Sequence, residues 1–271
     1  MGLVKDLGKR NVLGVLVDVA DQEGAVARVL QAARARRPLA CTALAVHGVM
    51  TGVDDPVHRY RLNHFDLATP DGQPVRWALN WLYRAGLERN THGSGLMLGV
   101  CERAASEGLP IYLYGSTPVV LGRLVAALRQ RFPSLLVAGS EPSKFRRTSS
   151  DEKRELVDRI RASGAAIVFV GLGCPRQEVF AYEYREALGI PTLAVGAAFD
   201  YLAGVLREPH PLVRRAGLEW LHRLILEPRR LWKRYAVLNP RFLLGLGLQL
   251  AGLSRPQAGR GEPPVDELLY G

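Results

Sequence analysis

The chain lacks any run of roughly 18 consecutive apolar residues, which excludes a membrane-spanning helix. Its first residues, Met1-Gly2-Leu3-Val4-Lys5-Asp6, hold no apolar core ahead of a small-residue cleavage site, so no signal peptide is expected. Cysteine is scarce. Cys41, Cys101 and Cys174 are odd in number and lack metal-ligand spacing, so they are expected to be reduced thiols buried as small hydrophobes in a cytoplasmic protein. No Gly-x-Gly-x-x-Gly follows the first expected strand, and no acid for a ribose sits behind one, which counts against a nucleotide-dependent α/β oxidoreductase. An Asp-x-Asp pair that would hold a divalent metal is missing too, and there is no internal repeat.

What is present is length and positive charge. At 271 residues the chain can bury a sizeable core. The net charge of +10 is uneven: positions 207–241 hold nine Lys or Arg against three Glu, a net +6. Such a segment calls for an acidic partner: nucleic acid, an anionic membrane surface or a phosphorylated substrate. A basic nucleic-acid-binding protein would explain the charge. However, no recognition motif is evident, and the charge sits beside Trp and an apolar tail.

Apolar runs alternate with amphipathic ones. Strands are expected at 12–19, 39–47, 65–70, 111–114, 135–138, 166–170 and 192–195. Helices are expected at 21–36, capped by Asp21, at 73–82, and from Pro118 to near Phe132. This βαβ rhythm implies an α/β fold, a mainly parallel sheet with helices on both faces. Ligands of such folds collect at the carboxyl ends of the strands, where the polar turns at Thr42, Asp71, Gly115 and Gly171 fall.

One turn carries most of the chemical information. Val170-Gly171-Leu172-Gly173-Cys174-Pro175-Arg176-Gln177-Glu178 follows an apolar strand and precedes a helix. The glycines allow a tight turn and close approach of a ligand, and Pro175 suits the first helical position. Backbone N–H groups there favour anions. Arg, Gln and Glu together in such a turn point to a polar substrate.

Beyond Gly204 the composition changes. A helix is expected around 218–225, and Pro228 opens a second or kinks the first. In the second, Leu231, Trp232, Tyr235 and Leu238 fall near one face, with Arg230, Lys233 and Arg234 on the other. Basic residues with Trp and Tyr suit the headgroup layer of an anionic bilayer. The apolar stretch 242–253 is too short to cross a membrane. Positions 254–271 are rich in Pro, Gly and charge and are expected to be disordered.

Five blocks in order carry a resemblance: Pro70-Asp71-Gly72; Arg89 with Gly93; Val170 to Glu178; Gly196-Ala197-Ala198-Phe199-Asp200-Tyr201-Leu202-Ala203-Gly204; and Gly217 to Leu224 with Glu227-Pro228-Arg229-Arg230. In these blocks the chain resembles the WecG/TagA/CpsF glycosyltransferases of bacterial polysaccharide and teichoic-acid synthesis. The resemblance implies a Rossmann-like fold divided into an α/β lobe at 1–107 (base and acceptor side), another at 108–205 (UDP-sugar side), a basic helical appendage at 206–253 and a tail at 254–271. It implies inverting transfer of an N-acetylmannosamine-like sugar from a UDP-sugar to a polyprenyl-diphosphate-linked sugar, with neither cofactor nor metal. The enzyme would sit peripherally on the inner face of the cell membrane, its partners an anionic membrane surface and a homo-oligomer but no nucleic acid.

The same resemblance assigns residues. Asp71 matches the family's base, consistent with the need for a carboxylate to take the acceptor proton. Thr42, Gln177 and Arg89 fall with it as catalytic positions. Gly115, Ser116, Thr117, Gly171, Gly173, Asp200, Arg223, Arg230 and Arg234 fall on the donor side, where guanidinium groups and helix N-termini would stabilise the leaving diphosphate. Two departures stand out. The family's Thr-x-Asn is Thr42-Ala43-Leu44 here, and Gly95 stands where an acid is expected.

Overall fold

The computed structural model describes residues 5–206, 219–259 and 261–271. A hairpin opens the chain, with β1 (Asp6–Val12) antiparallel to β2 (Val15–Ala20). The expected single strand at 12–19 is thus two strands. The chain reverses at Leu13 and Gly14, both at positive φ, and the valines of both arms face one core. Helix α1 (Gln22–Arg34) follows; Asp21 caps it, accepting from the Gly24 N–H at 2.8 Å, as expected.

The body is a six-stranded, all-parallel sheet. Its strands are β3 (Leu39–Leu44), β4 (Leu67–Pro70), β5 (Ile111–Gly115), β6 (Val137–Glu141), β7 (Ile167–Gly171) and β8 (Pro191–Ala194). They lie in the order β4-β3-β8-β7-β5-β6. Between them run α2 (Val46–Asp54), α3 (Pro56–Asn63), α4 (Gln73–Tyr83), α5 (Gly93–Glu107), α6 (Pro118–Arg131), α7 (Ser150–Ala162) and α8 (Arg176–Leu188), with the short α9 (Ala198–Leu202) after β8. Positions 1–107 and 108–205 therefore both send strands into one sheet.

Alternation along the strands sorts the two faces. Ile111, Leu113, Ile167, Phe169 and Leu193 meet Leu96, Val100, Leu124 and Leu128 of α5 and α6. Tyr112, Tyr114, Val168 and Val170 meet Leu156 and Ile160 of α7 and Phe180 and Tyr184 of α8. Each such side chain contributes about 1.5–3 kcal/mol on burial. Cys41 and Cys101 are fully buried in the first of these cores, and burial pushes the Cys101 thiol up to about 12, so neither is reactive.

The C-terminal part holds α10 (Glu219–Leu226), α11 (Pro228–Lys233), a π-helical turn (Arg234–Leu238) and α12 (Asn239–Leu250). Phe242 and Leu246, four apart on α12, are buried with the hairpin, α2 and α4, and Leu231 is buried as well. The π turn interrupts the single face expected for Leu231, Trp232, Tyr235 and Leu238, and Trp232 is 52% exposed. Among the described residues no helix is long and apolar enough to cross a membrane.

The tail differs from the expectation of disorder. The Leu268 and Leu269 N–H groups donate to the buried Glu183 carboxylate at 2.8 and 2.9 Å, and that carboxylate also faces Arg61 at 3.5 Å. Composition argued for a solvated tail, yet a buried acid that needs donors holds it.

The hairpin is bound to the sheet by one buried acid. Asp18 accepts from Lys9 Nζ at 3.0 Å, Arg28 Nη1 at 2.8 Å and the Ala68 N–H of β4 at 2.7 Å. Asp18→Ala strips all three donors of their acceptor and leaves the Ala68 N–H buried and unpaired. It should cost about 2–4 kcal/mol in chemical denaturation. A loss below about 0.5 kcal/mol would show that the hairpin is held by its valines alone.

Candidate active site

The carboxyl ends of β4, β3, β8, β7 and β5 open into a cleft of about 530 Å³. Chain connections leave the neighbouring strands β7 and β5 toward opposite edges of the sheet, to β8 and to β6, and ligands bind at such a switch point. A volume of this size suits a nucleotide-sized ligand.

One wall is shaped by glycine. Gly115 and Gly171 end the neighbouring strands β5 and β7, and a Cβ on Gly115 would lie 2.7 Å from the Gly171 carbonyl oxygen. A Cβ on Gly171 would lie 2.6 Å from the Phe199 ring. The Ser116 N–H donates to the Gly171 carbonyl at 2.9 Å. Thr117 caps α6 by accepting from the Val120 N–H, so the helix starts at the cleft. Gly173 needs its positive φ of 76° to turn β7 into α8. Helices α6 and α8 thus both begin at the cleft, and helix N-termini favour anions.

The opposite wall carries an acid. Asp71 follows β4, donates its N–H to the Leu44 carbonyl at 3.1 Å and lines the cleft, partly exposed. Asp200 of α9, next in sequence to Phe199, lines the cleft as well, and so do His47, His92 and Cys174. Among the described residues there is no group of three or more His, Cys, Asp or Glu that could hold a metal.

Between the walls lies a buried polar cluster. Gln177 Oε1 accepts from the Gly173 N–H at 3.2 Å, and its Nε2 donates to Glu178 Oε1 at 2.9 Å. Thr42 Oγ1 donates to the same oxygen at 3.1 Å. A Cβ on Gly196 would lie 2.8 Å from Gln177 Oε1, so the glycine makes room for the amide. Burial pushes the Glu178 carboxyl above its ordinary range; hydrogen bonds from Gln177, its own backbone N–H, Thr42 and Cys174 oppose this without reversing it.

The cleft thus gathers Asp71, Gln177, Ser116, Thr117, Gly171, Gly173 and Asp200 from the expected residues, while Gly115 is buried behind the lining at the end of β5. Thr42 is fully buried beneath the lining rather than in it. Arg89 is exposed and does not line the cleft. The side chains of Arg223, Arg230, Lys233 and Arg234 lie outside the described residues. Of the Arg-Gln-Glu trio, Arg176 faces solvent while Gln177 and Glu178 turn inward. Glu178 received no role from the sequence. The signal was its place in the first turn of a helix behind a glycine turn, where a lone acid reads as ordinary helix-start charge. Phe145, at the rim, lay in a stretch with no motif at all.

The fit of Gly171 against Phe199 is testable. Gly171→Ala should cost about 1–3 kcal/mol through overpacking, and combining it with Phe199→Leu should recover at least about 0.5 kcal/mol in a double-mutant cycle. Additive losses would mean that the ring does not limit the site.

A glycine-walled cleft with helix N-termini on one side and an aspartate on the other suits group transfer from a nucleotide-linked donor. The model of the Glycosyl transferase WecG/TagA/CpsF family matches residues 10–256, which include every element around the cleft. The chain belongs to this family and is a glycosyltransferase.

Proposed function

We propose that the enzyme transfers an N-acetylhexosamine-type sugar, N-acetylmannosamine-like, from a UDP-sugar to a polyprenyl-diphosphate-linked sugar acceptor, with inversion at the anomeric carbon. The supporting observation is the division of the cleft: Asp71 on the β4 side, and the first turns of α6 and α8 with Gly115 and Gly171 on the β5–β7 side. In this reading the acceptor hydroxyl oxygen attacks the anomeric carbon as Asp71 takes its proton. The bond from that carbon to the diphosphate oxygen breaks, and the electron pair leaves with UDP. The helix N-termini and Arg176 offset the negative charge that develops on the diphosphate. Arg223, Arg230 and Arg234 would add to this from the appendage. No divalent metal is required, because these fixed donors supply the positive field.

The same reading puts the protein on the inner face of the cell membrane as a peripheral enzyme. Ile225, Leu244 and Leu253 are 70%, 67% and 78% exposed on the C-terminal part, beside a segment of net charge +6. Each basic residue near an anionic surface contributes about 1 kcal/mol, so several localise a protein reversibly without a lipid anchor. A lipid-linked acceptor would be met at that surface.

The test is Asp71→Asn. Turnover should fall by at least about 10²-fold, the usual scale for removing a general base. Stabilisation of the protein by UDP in a thermal-shift assay should persist in the variant, and in EDTA. Near wild-type turnover would reduce Asp71 to a turn residue, and loss of the UDP response in EDTA would overturn the metal-free reading.

A further inference from the structure

Glu178 has one oxygen in use and one idle. Its Oε1 receives two donors, Thr42 Oγ1 and Gln177 Nε2. Its Oε2 is buried with no hydrogen-bond partner, although the residue lines the cleft and the Cys174 thiol also faces the carboxyl. Buried polar atoms in folded proteins are almost always paired, so an idle one at a cleft marks where a ligand group completes the set. The position is informative as well. Glu178 belongs to α8, which starts after β7, yet it bonds to Thr42 on β3. In the strand order β4-β3-β8-β7-β5 it therefore spans the floor above β8, between the Asp71 side and the Gly115–Gly171 side. On the glycosyltransferase reading above, on which this inference rests, that floor is where the transferred sugar bridges nucleotide and base.

We propose that Glu178 is a donor-sugar recognition residue, with Oε1 fixing Thr42 and Gln177 and Oε2 carrying a proton that is donated to a hydroxyl or N-acetyl carbonyl oxygen of the sugar. With two donors already on Oε1, a neutral carboxyl holds its proton on Oε2. Burial favours that neutral form. A carboxyl group so placed tells sugars apart by where they present an acceptor, because a misplaced one leaves the buried O–H unpaired. Thr42 acts through Glu178 in this arrangement, which explains why a residue matching a catalytic position lies beneath the cleft rather than in it.

Glu178→Gln and Glu178→Leu separate the possibilities, with UDP, UDP-N-acetylglucosamine and UDP-N-acetylmannosamine as probes in isothermal titration. Glutamine can accept from Thr42 and Gln177 with its oxygen and place its amide N–H where the Oε2 proton was. Wild type should bind one UDP-sugar about 10-fold or more tighter than UDP. Glu178→Gln should keep that ratio within about threefold. Glu178→Leu should lose it while binding UDP as wild type does. The inference is overturned if no sugar binds tighter than UDP to wild type, if Glu178→Leu keeps the ratio, or if Glu178→Gln loses it as fully as Glu178→Leu. The last result would mean that an ionised carboxylate is what the sugar meets. Failure of wild type to bind UDP at all would instead remove the glycosyltransferase donor assignment, and this inference with it.

Discussion

Strands β5 and β7 end side by side at Gly115 and Gly171, with no room for a side chain on either, and the cleft depends on that contact. A Cβ on Gly115 would strike the Gly171 backbone, and one on Gly171 would strike Phe199. The Ser116 N–H closes the pair by donating to the Gly171 carbonyl. With the two strand ends this close, α6 and α8 both begin beside the same cleft. Glycine packing is what sets the two helix starts at the cleft, and among the described residues Arg176 is the one Lys or Arg in its lining. Asp71 lines the cleft from the β4 side.

Much of the fold was readable because apolar strands in a parallel sheet are continuous and the turns between them are chemically marked. The runs at 111–114 and 166–170, each followed by a glycine, became β5 and β7 almost residue for residue. Asp21 read as a cap and is one. Between the strands expected at 39–47 and 65–70 no helix was expected, yet α2 and α3 form over 46–63. The apolar positions Val46, Val49, Met50 and Val53 have helical spacing, but Asp54, Asp55 and Pro56 interrupt it. The structure uses that interruption as a boundary, with Asp55 capping α3. The tail misled composition for a related reason. Glu183, far from it in sequence, supplies the acceptor that holds residues 268 and 269, and no local pattern reveals such a partner.

The site was partly legible. Residues on turns could be placed because a turn at a strand's carboxyl end has only one place to be: Asp71, Ser116, Thr117 and Gly173 all reach the cleft. Side-chain direction could not be read in the same way. Thr42 points down into the cluster with Glu178, and Arg89 stays outside the lining. Glu178 was quoted within its motif and passed over. Its burial follows from the packing of α8 on β3, a contact between segments 136 residues apart. Burial is what pushes this helix-start carboxyl above its ordinary range.

The account stands on the cleft at the carboxyl ends of β5 and β7 being the nucleotide site. Hydrogen–deuterium exchange with and without UDP measures this directly. Slower exchange should concentrate at the amides of 115–117 and 171–178, with the hairpin and the 268–271 tail unchanged. Protection confined to the C-terminal helices, or absent from both turns while UDP is bound, would contradict it.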